Sequence, residues 1–402
     1  MRSRPAASDI LGADPRDFSF VLGGPLFQLL RRAHLTGDAL ELAHRRIVFL
    51  AVITWVPLLV LSLLGGRAAG GSVAVPFLRD VDVHVRFLLV VPLLIAAELM
   101  VHLRIRGVAR QFQDRGLISP ADQSRFEAAV ESTMRLRNSV AAELALLVFV
   151  YVVGIQLVWR GHSLLGDTTW YATPEAGGMR LSLAGIWFAY ISLPFAQFLM
   201  VRWYYRMFLW TRFLWKVSNI ELQLVPTHPD RVGGLGFLSL TPFAFQPLAV
   251  AHGALLAGWI ASRIFLQQAG LRDFTIEIVV VAVLMLCLVF GPLLLFWPQI
   301  SQAWRQGEHD YGPLAARQAH EFEAKWVGAD PSAGEPLLVS RDAISFAAMA
   351  NLYGVVRTMY AVPVTRMAII QLVVATLAPV APLVLTMMPL GSLLQRLAGM
   401  LF

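Results

Sequence analysis

The chain has 402 residues, of which 57% are hydrophobic and only 15% charged. A soluble domain of this length carries about 25% charged residues, so the composition excludes an ordinary water-soluble enzyme and points to a bilayer as solvent. The net charge of +7 does not read as nucleic-acid affinity, because most of the basic residues flank apolar stretches, where they set topology.

Residues 1–46 are mixed and carry seven Arg, so they are not expected to act as a secretory signal. Within them, residues 26–32 alternate Leu and Phe with Gln and Arg and are expected to lie on a membrane surface as an amphipathic piece. Seven stretches then approach the roughly twenty apolar residues that cross a hydrocarbon core as a helix. They are 47–65, 86–103, 139–159, 183–201, 242–262, 276–297 and 367–389. The predicted fold is therefore all-α, a polytopic bundle of about seven spans over 47–389. Arg79 to Arg86 alternates charges with valines, the period of a strand or extended interfacial segment. Ser119-Pro120 followed by Asp122 starts a helix expected to run through Arg135 and Arg137 into the third span without a break. The aromatic fourth span continues as an amphipathic helix to about Leu224, and 343–360 reads as a further helix against the inner face. Pro379 and Pro382 interrupt the seventh span, and 390–402 forms an amphipathic C-terminal helix.

Of the 33 Lys and Arg residues, 25 fall in the segments 1–46, 104–138, 202–241 and 298–366. The positive-inside rule places these four segments, and the N-terminus, in the cytoplasm. Arg outnumbers Lys 31 to 2, the usage of a GC-rich bacterial genome, so a bacterial inner membrane is the expected location. Cys287 is the only cysteine, which rules out an internal disulfide and a thiolate metal cluster.

Polar residues recur at one depth. Glu98 and Glu143 lie four or five residues inside the inner ends of their spans, about 6–8 Å deep at 1.5 Å per residue. Gln197, Gln246 and Gln371 fall at similar depth, and His102 is one helical turn from Glu98. Buried carboxylates in a membrane face water or a partner. One reading is a cytoplasm-facing vestibule that binds a cation or proton; the other is neutralisation by Arg104 or Arg137. His252 borders a stripe of small residues, Ala249, Gly253, Ala257 and Ala261, and is either a relay group or a hydrogen-bonded structural histidine.

The most distinctive polar stretch is His228-Pro229-Asp230-Arg231-Val232-Gly233-Gly234-Leu235-Gly236-Phe237. Its glycines imply positive φ and exposed N–H groups, an anion-binding nest that Arg231 would assist, or else a tight connector into the fifth span. His-Pro-Asp before Gly-Gly-Leu-Gly-Phe resembles a segment of bacterial multi-pass membrane proteins to which no function is assigned. The stretch from Pro76-Phe77-Leu78 to Arg86-Phe87 is similar to them too, and the resemblance implies no activity.

No Walker loop, nucleophile elbow or His-Glu-x-x-His occurs, and no cofactor or metal is expected. A channel or transporter for a small ion or solute is the leading functional expectation. A membrane scaffold or sensor docking a cytoplasmic protein is the second. A lipid-modifying enzyme built on His228, Asp230, His309 and Asp310 is the third and is disfavoured. Membrane lipid is an expected partner, nucleic acid is not, and homo-oligomerisation is left open.

Overall fold

A computed structural model describes Ser19, Gly23 and residues 43–70, 73–154, 168–175, 178–327 and 341–387. The amphipathic pieces expected at 26–32 and 390–402 lie outside these residues. Five helices are long and apolar enough to cross a membrane: α1 (His44–Leu64), α2 (Val81–Asp114), α5 (Leu183–Ser218), α6 (Leu235–Gln267) and α7 (Leu271–Trp326). Two bent pairs make the count up to seven if each is taken as one span: α3 (Gln123–Arg137) with α4 (Val140–Gly154), and α9 (Arg366–Leu377) with α10 (Ala381–Met387). The fold is an all-α helical bundle, as expected, and fits a multi-pass integral membrane protein. Helix α8 (Arg341–Arg357), a 3-10 turn (Phe77–Arg79) and a hairpin of β1 (Ala172–Glu175) and β2 (Gly178–Leu181) complete the described elements.

Three sequence expectations are corrected. From Val81 to Arg86 the chain is helical, after the 3-10 turn at Phe77–Arg79: the Asp80 carboxylate accepts from the Val83 N–H and caps the start of α2, which overrides the alternating pattern. The helix before the third span does break. α3 and α4 meet at 49°, because Ser139 accepts from the Ala142 N–H at 3.2 Å and begins a new helix. Helix α5 stops at Ser218 rather than near Leu224, and Gln299 caps its end by donating to the carbonyls of Ser218 and Ile220, both at 2.7 Å.

The prolines are accommodated locally. In α2 and α5 a wide π turn, Val85–Val90 and Phe188–Ser192, comes just before Pro92 and Pro194. Proline cannot donate to the carbonyl four residues back, and the wider turn clears its ring. The Tyr190 carbonyl, four residues before Pro194, accepts the Tyr151 hydroxyl at 3.0 Å.

Helices in lipid associate by close packing rather than by the hydrophobic effect. Helix α6 supplies the small surfaces. Gly253 lies against α9 so closely that a Cβ there would sit 1.9 Å from the Thr376 carbonyl oxygen, and Gly258 abuts Val85 of α2. Ser262 accepts the Asp82 N–H at 3.0 Å on the same face. Gly253→Ala should therefore force α6 and α9 apart and cost about 1–3 kcal/mol, read as a lower melting temperature in detergent. Unchanged melting would show that this contact does not hold the two helices together.

At 1.5 Å per residue the 36 residues of α5 and the 56 of α7 extend about 54 and 84 Å, well beyond a hydrocarbon core of about 30 Å. Their continuations, with the end of α2, with α3 and with the start of α6, extend the main hydrophobic core of the bundle. Phe112 packs edge-on to Phe237 at 5.0 Å and stacks near Phe296 at 6.2 Å, and Phe126 meets Phe213 at 6.3 Å. The last part of α7 pairs with α8 through Phe322 and Phe346, whose rings stack at 4.6 Å.

Candidate functional site

The site begins with two arginines of α5. Arg202 and Arg206 are one turn apart and project the same way, between α1 and α2. Glu98 of α2 receives both, Arg206 at 2.7 Å and Arg202 at 3.4 Å on Oε1, while Arg46 of α1 meets its Oε2 at 2.5 Å. The Nε of Arg202 also lies 3.4 Å from Glu143 of α4. Side-chain exposure is 9% or less for Glu98 and all three arginines, so bulk water does not screen them. Trp203 fixes the α5 backbone beside them: its Nε1 donates to the Leu94 carbonyl at 3.0 Å, and Arg206 lies 4.9 Å from its ring centroid.

Four helices are thus tied at one level by charge. A carboxylate buried among apolar residues is tolerated when opposite charges and hydrogen bonds replace its water. The neutralising groups are Arg46, Arg202 and Arg206, not Arg104. Arg137 serves a different contact: its Nη1 donates to the Ser19 carbonyl and its Nε to Asn138 at 3.1 Å. Its buried Nη2 has no partner among the described residues. Both oxygens of Glu98 face guanidinium groups, so the geometry is that of an anion seat whose occupant is the protein's own carboxylate.

The remaining polar groups of the expected layer are separated into local pairs. His102 Nδ1 lies 2.9 Å from the Ser19 hydroxyl. Gln246 donates to Gln371 at 3.1 Å, joining α6 to α9, and Gln197 donates to the Gly154 carbonyl at 3.4 Å. His252 has both ring nitrogens engaged. Its Nδ1 is 2.8 Å from the Leu248 carbonyl, which only an N–H can approach, so Nε2 accepts the Tyr204 hydroxyl at 2.8 Å. This is the structural-histidine arrangement.

The glycine-rich loop forms the expected nest, and Asp230 fills it. Its Oδ1 accepts from the N–H groups of Val232 and Gly234 at 3.0 and 3.1 Å, and its Oδ2 from Gly236 at 2.8 Å. Gly233 and Gly234 have φ of 69° and 103°, and Arg231 itself sits at 59°. Gly236 is there for space, since a Cβ would fall 2.7 Å from that of Asp230. Arg231 does not point its charge into the nest's hydrogen bonds. It contributes its carbonyl, which accepts the Tyr360 N–H at 2.8 Å. Arg115 is the guanidinium that reaches the loop, donating to the Gly234 carbonyl at 3.2 Å and lying 5.0 Å from the Phe237 centroid. Burial raises the Asp230 carboxyl, but the three N–H groups and His228 outweigh it and hold it below the usual carboxylate range.

His228 pairs with Asp230 at 2.9 Å and His309 with Asp310 at 3.0 Å. Among the described residues, no group of three or more His, Cys, Asp or Glu side chains is arranged to hold a metal ion. The four residues offered for lipid chemistry are thus two local pairs and not a metal centre.

Sequence reasoning found Glu98 and Glu143 and missed Arg46, Arg202 and Arg206. The available signal was the spacing of Arg202 and Arg206, which repeats a charge on one helix face beside an aromatic run. Compared with family models, curated proteins and solved structures, the chain matches none.

Proposed function

We propose that the protein is a channel or transporter for a small anion, with the arginine cluster around Glu98 as its binding seat and gate. One observation carries this reading: three guanidiniums from two helices converge on a single carboxylate of a third. An incoming anion that replaces Glu98 at Arg202 and Arg206 would release α2 from α5 while Arg46 keeps it tied to α1. A cation finds no such opening, because both Glu98 oxygens are held by positive charge. This narrows the expected small ion to an anion and makes the vestibule a closed gate rather than an open, cation-lined cavity. With the basic segments inside, the gate lies at the cytoplasmic end of a bacterial inner-membrane protein.

Purified protein in liposomes should pass nitrate, chloride or phosphate and exclude sodium and potassium. Arg206→Gln, which leaves Glu98 two partners, should reduce that flux about tenfold, the equivalent of one charge-assisted hydrogen bond. Cation flux without anion flux, or anion flux untouched in a folded Arg206→Gln protein, would remove the proposal. A docking scaffold is the second reading, favoured by the length to which α7 and α8 extend past the bundle. It predicts no flux and a soluble protein held by the α7–α8 pair.

A further inference from the structure

The end of the bundle opposite the arginine cluster holds a cleft of about 590 Å3 between the end of α1, the β hairpin and the start of α5. Ser62 in its wall is sixteen residues along α1 from Arg46, about 24 Å by helical rise, so the two sites occupy opposite membrane boundaries. The two sites share no residue, and the cleft does not depend on the transport reading.

Its wall is built around two unsatisfied groups. Ser62 is 1% exposed, and neither its hydroxyl nor the buried Nη1 of Arg67 has a hydrogen-bond partner among the described residues. Leaving such a group dry is unfavourable, and more so for a charge. Groups of this kind persist where a ligand completes them. Arg67 is held in place by its backbone. Gly66, at φ 64°, ends α1 with Arg67 N–H donating to the Ser62 carbonyl at 2.8 Å, and the Arg67 carbonyl accepts the Phe77 N–H at 3.1 Å. Arg180 stands at the mouth, 3.4 Å from Glu175 across the hairpin. The rim is apolar and exposed: Leu64, Leu183 and Ile186 are 80%, 72% and 47% accessible.

We propose that this cleft seats the phosphate of a phospholipid headgroup. Arg67 and Ser62 would donate to the phosphate oxygens, with Arg180 closing over them and the acyl chains leaving across Leu64, Leu183 and Ile186. The guanidinium fork matches two phosphate oxygens at once, and an apolar rim beside a basic floor suits an amphiphile better than a free ion.

The test is titration of the full-length protein in detergent with three probes: dihexanoyl phosphatidylglycerol, dihexanoylglycerol and inorganic phosphate. Bound phosphatidylglycerol is counted by native mass spectrometry. Phosphatidylglycerol should bind and dihexanoylglycerol, which lacks the phosphate, should not. Arg67→Gln should weaken binding about tenfold and the surface variant Arg180→Gln about threefold. Ser62→Ala separates binding from folding: it removes a buried hydroxyl without a partner, so the lipid-free protein should melt no lower while lipid binding weakens. Inorganic phosphate binding as tightly as the lipid would overturn the lipid headgroup and leave an anion seat. Equal binding of phosphatidylglycerol by all three variants and the parent would overturn the site altogether.

Discussion

Glu98→Gln should be the most damaging single change in the membrane-embedded part of the molecule. The amide keeps the shape of the carboxylate but none of its charge, and it offers its carbonyl oxygen where Arg46, Arg202 and Arg206 now share two charged oxygens. Removing one partner of a buried ion pair costs about 3–5 kcal/mol, because the other charge stays behind without compensation. Here three guanidiniums are left together. Pairing the change with Arg206→Gln should restore part of the loss, and the two effects should be non-additive by 1 kcal/mol or more, as in other buried networks. Thermal melting of the two single variants and the double variant in one detergent measures this directly. The proposed gate adds a sharper expectation. Phosphate or sulfate should raise the melting temperature of Glu98→Gln more than that of the parent protein, since the ion can occupy the vacated seat and stabilise the folded form by mass action. Comparison with the parent subtracts the general stabilisation that such salts give. An equal rise in both proteins would leave the cluster as a structural clamp and deprive the anion proposal of its seat.

The contrast between what could and could not be read from the sequence has a physical origin. Crossing a bilayer needs some twenty apolar residues in succession, a one-dimensional property, and the seven stretches are recovered as five long helices and two bent pairs. Breaks were harder. The Asn138–Ser139 step lies between an amphipathic and an apolar helix, both of which favour continuation, and only the Ser139 cap marks the turn. The valine alternation from Val81 to Val85 has the period of a strand, but capping by Asp80 and packing on α6 decide for helix. At the site, an acid inside an apolar window announces itself, so Glu98 and Glu143 were legible. Their partners were not. Arg46 and Arg202 are 52 and 104 residues away from Glu98, and depth along each helix says nothing about rotation around it. Arginines at span ends also have a ready explanation as topology signals, which concealed their second role. The hairpin at 172–181 escaped because four-residue strands containing Pro174 and Gly178 carry no usable period.

Asp230→Ala should unmake the loop that leads into α6. Three N–H groups, those of Val232, Gly234 and Gly236, lose their acceptor, and Val232 and Gly234 are buried where water does not replace it. The expected cost is about 3 kcal/mol, below three full unsatisfied donors because Gly236 is partly exposed. Asp230→Asn distinguishes a charged acceptor from a mere spacer: its amide turns an NH2 toward donors that the second carboxylate oxygen now accepts, so it should also be destabilising. The pH dependence has a definite sign. The folded Asp230 carboxyl lies below its unfolded value of about 3.9, so its contribution is complete above that pH and is lost as pH falls through the folded value. The parent should therefore lose stability faster than Asp230→Asn when acidified below about pH 4. Parallel acid melting curves would show instead that the nest holds its shape without the charge. Because Arg115 and the Arg231 carbonyl fix this loop to the end of α2 and to Tyr360, the damage should spread beyond it. Hydrogen exchange in 112–118 and 358–362 should quicken together with that in 230–237.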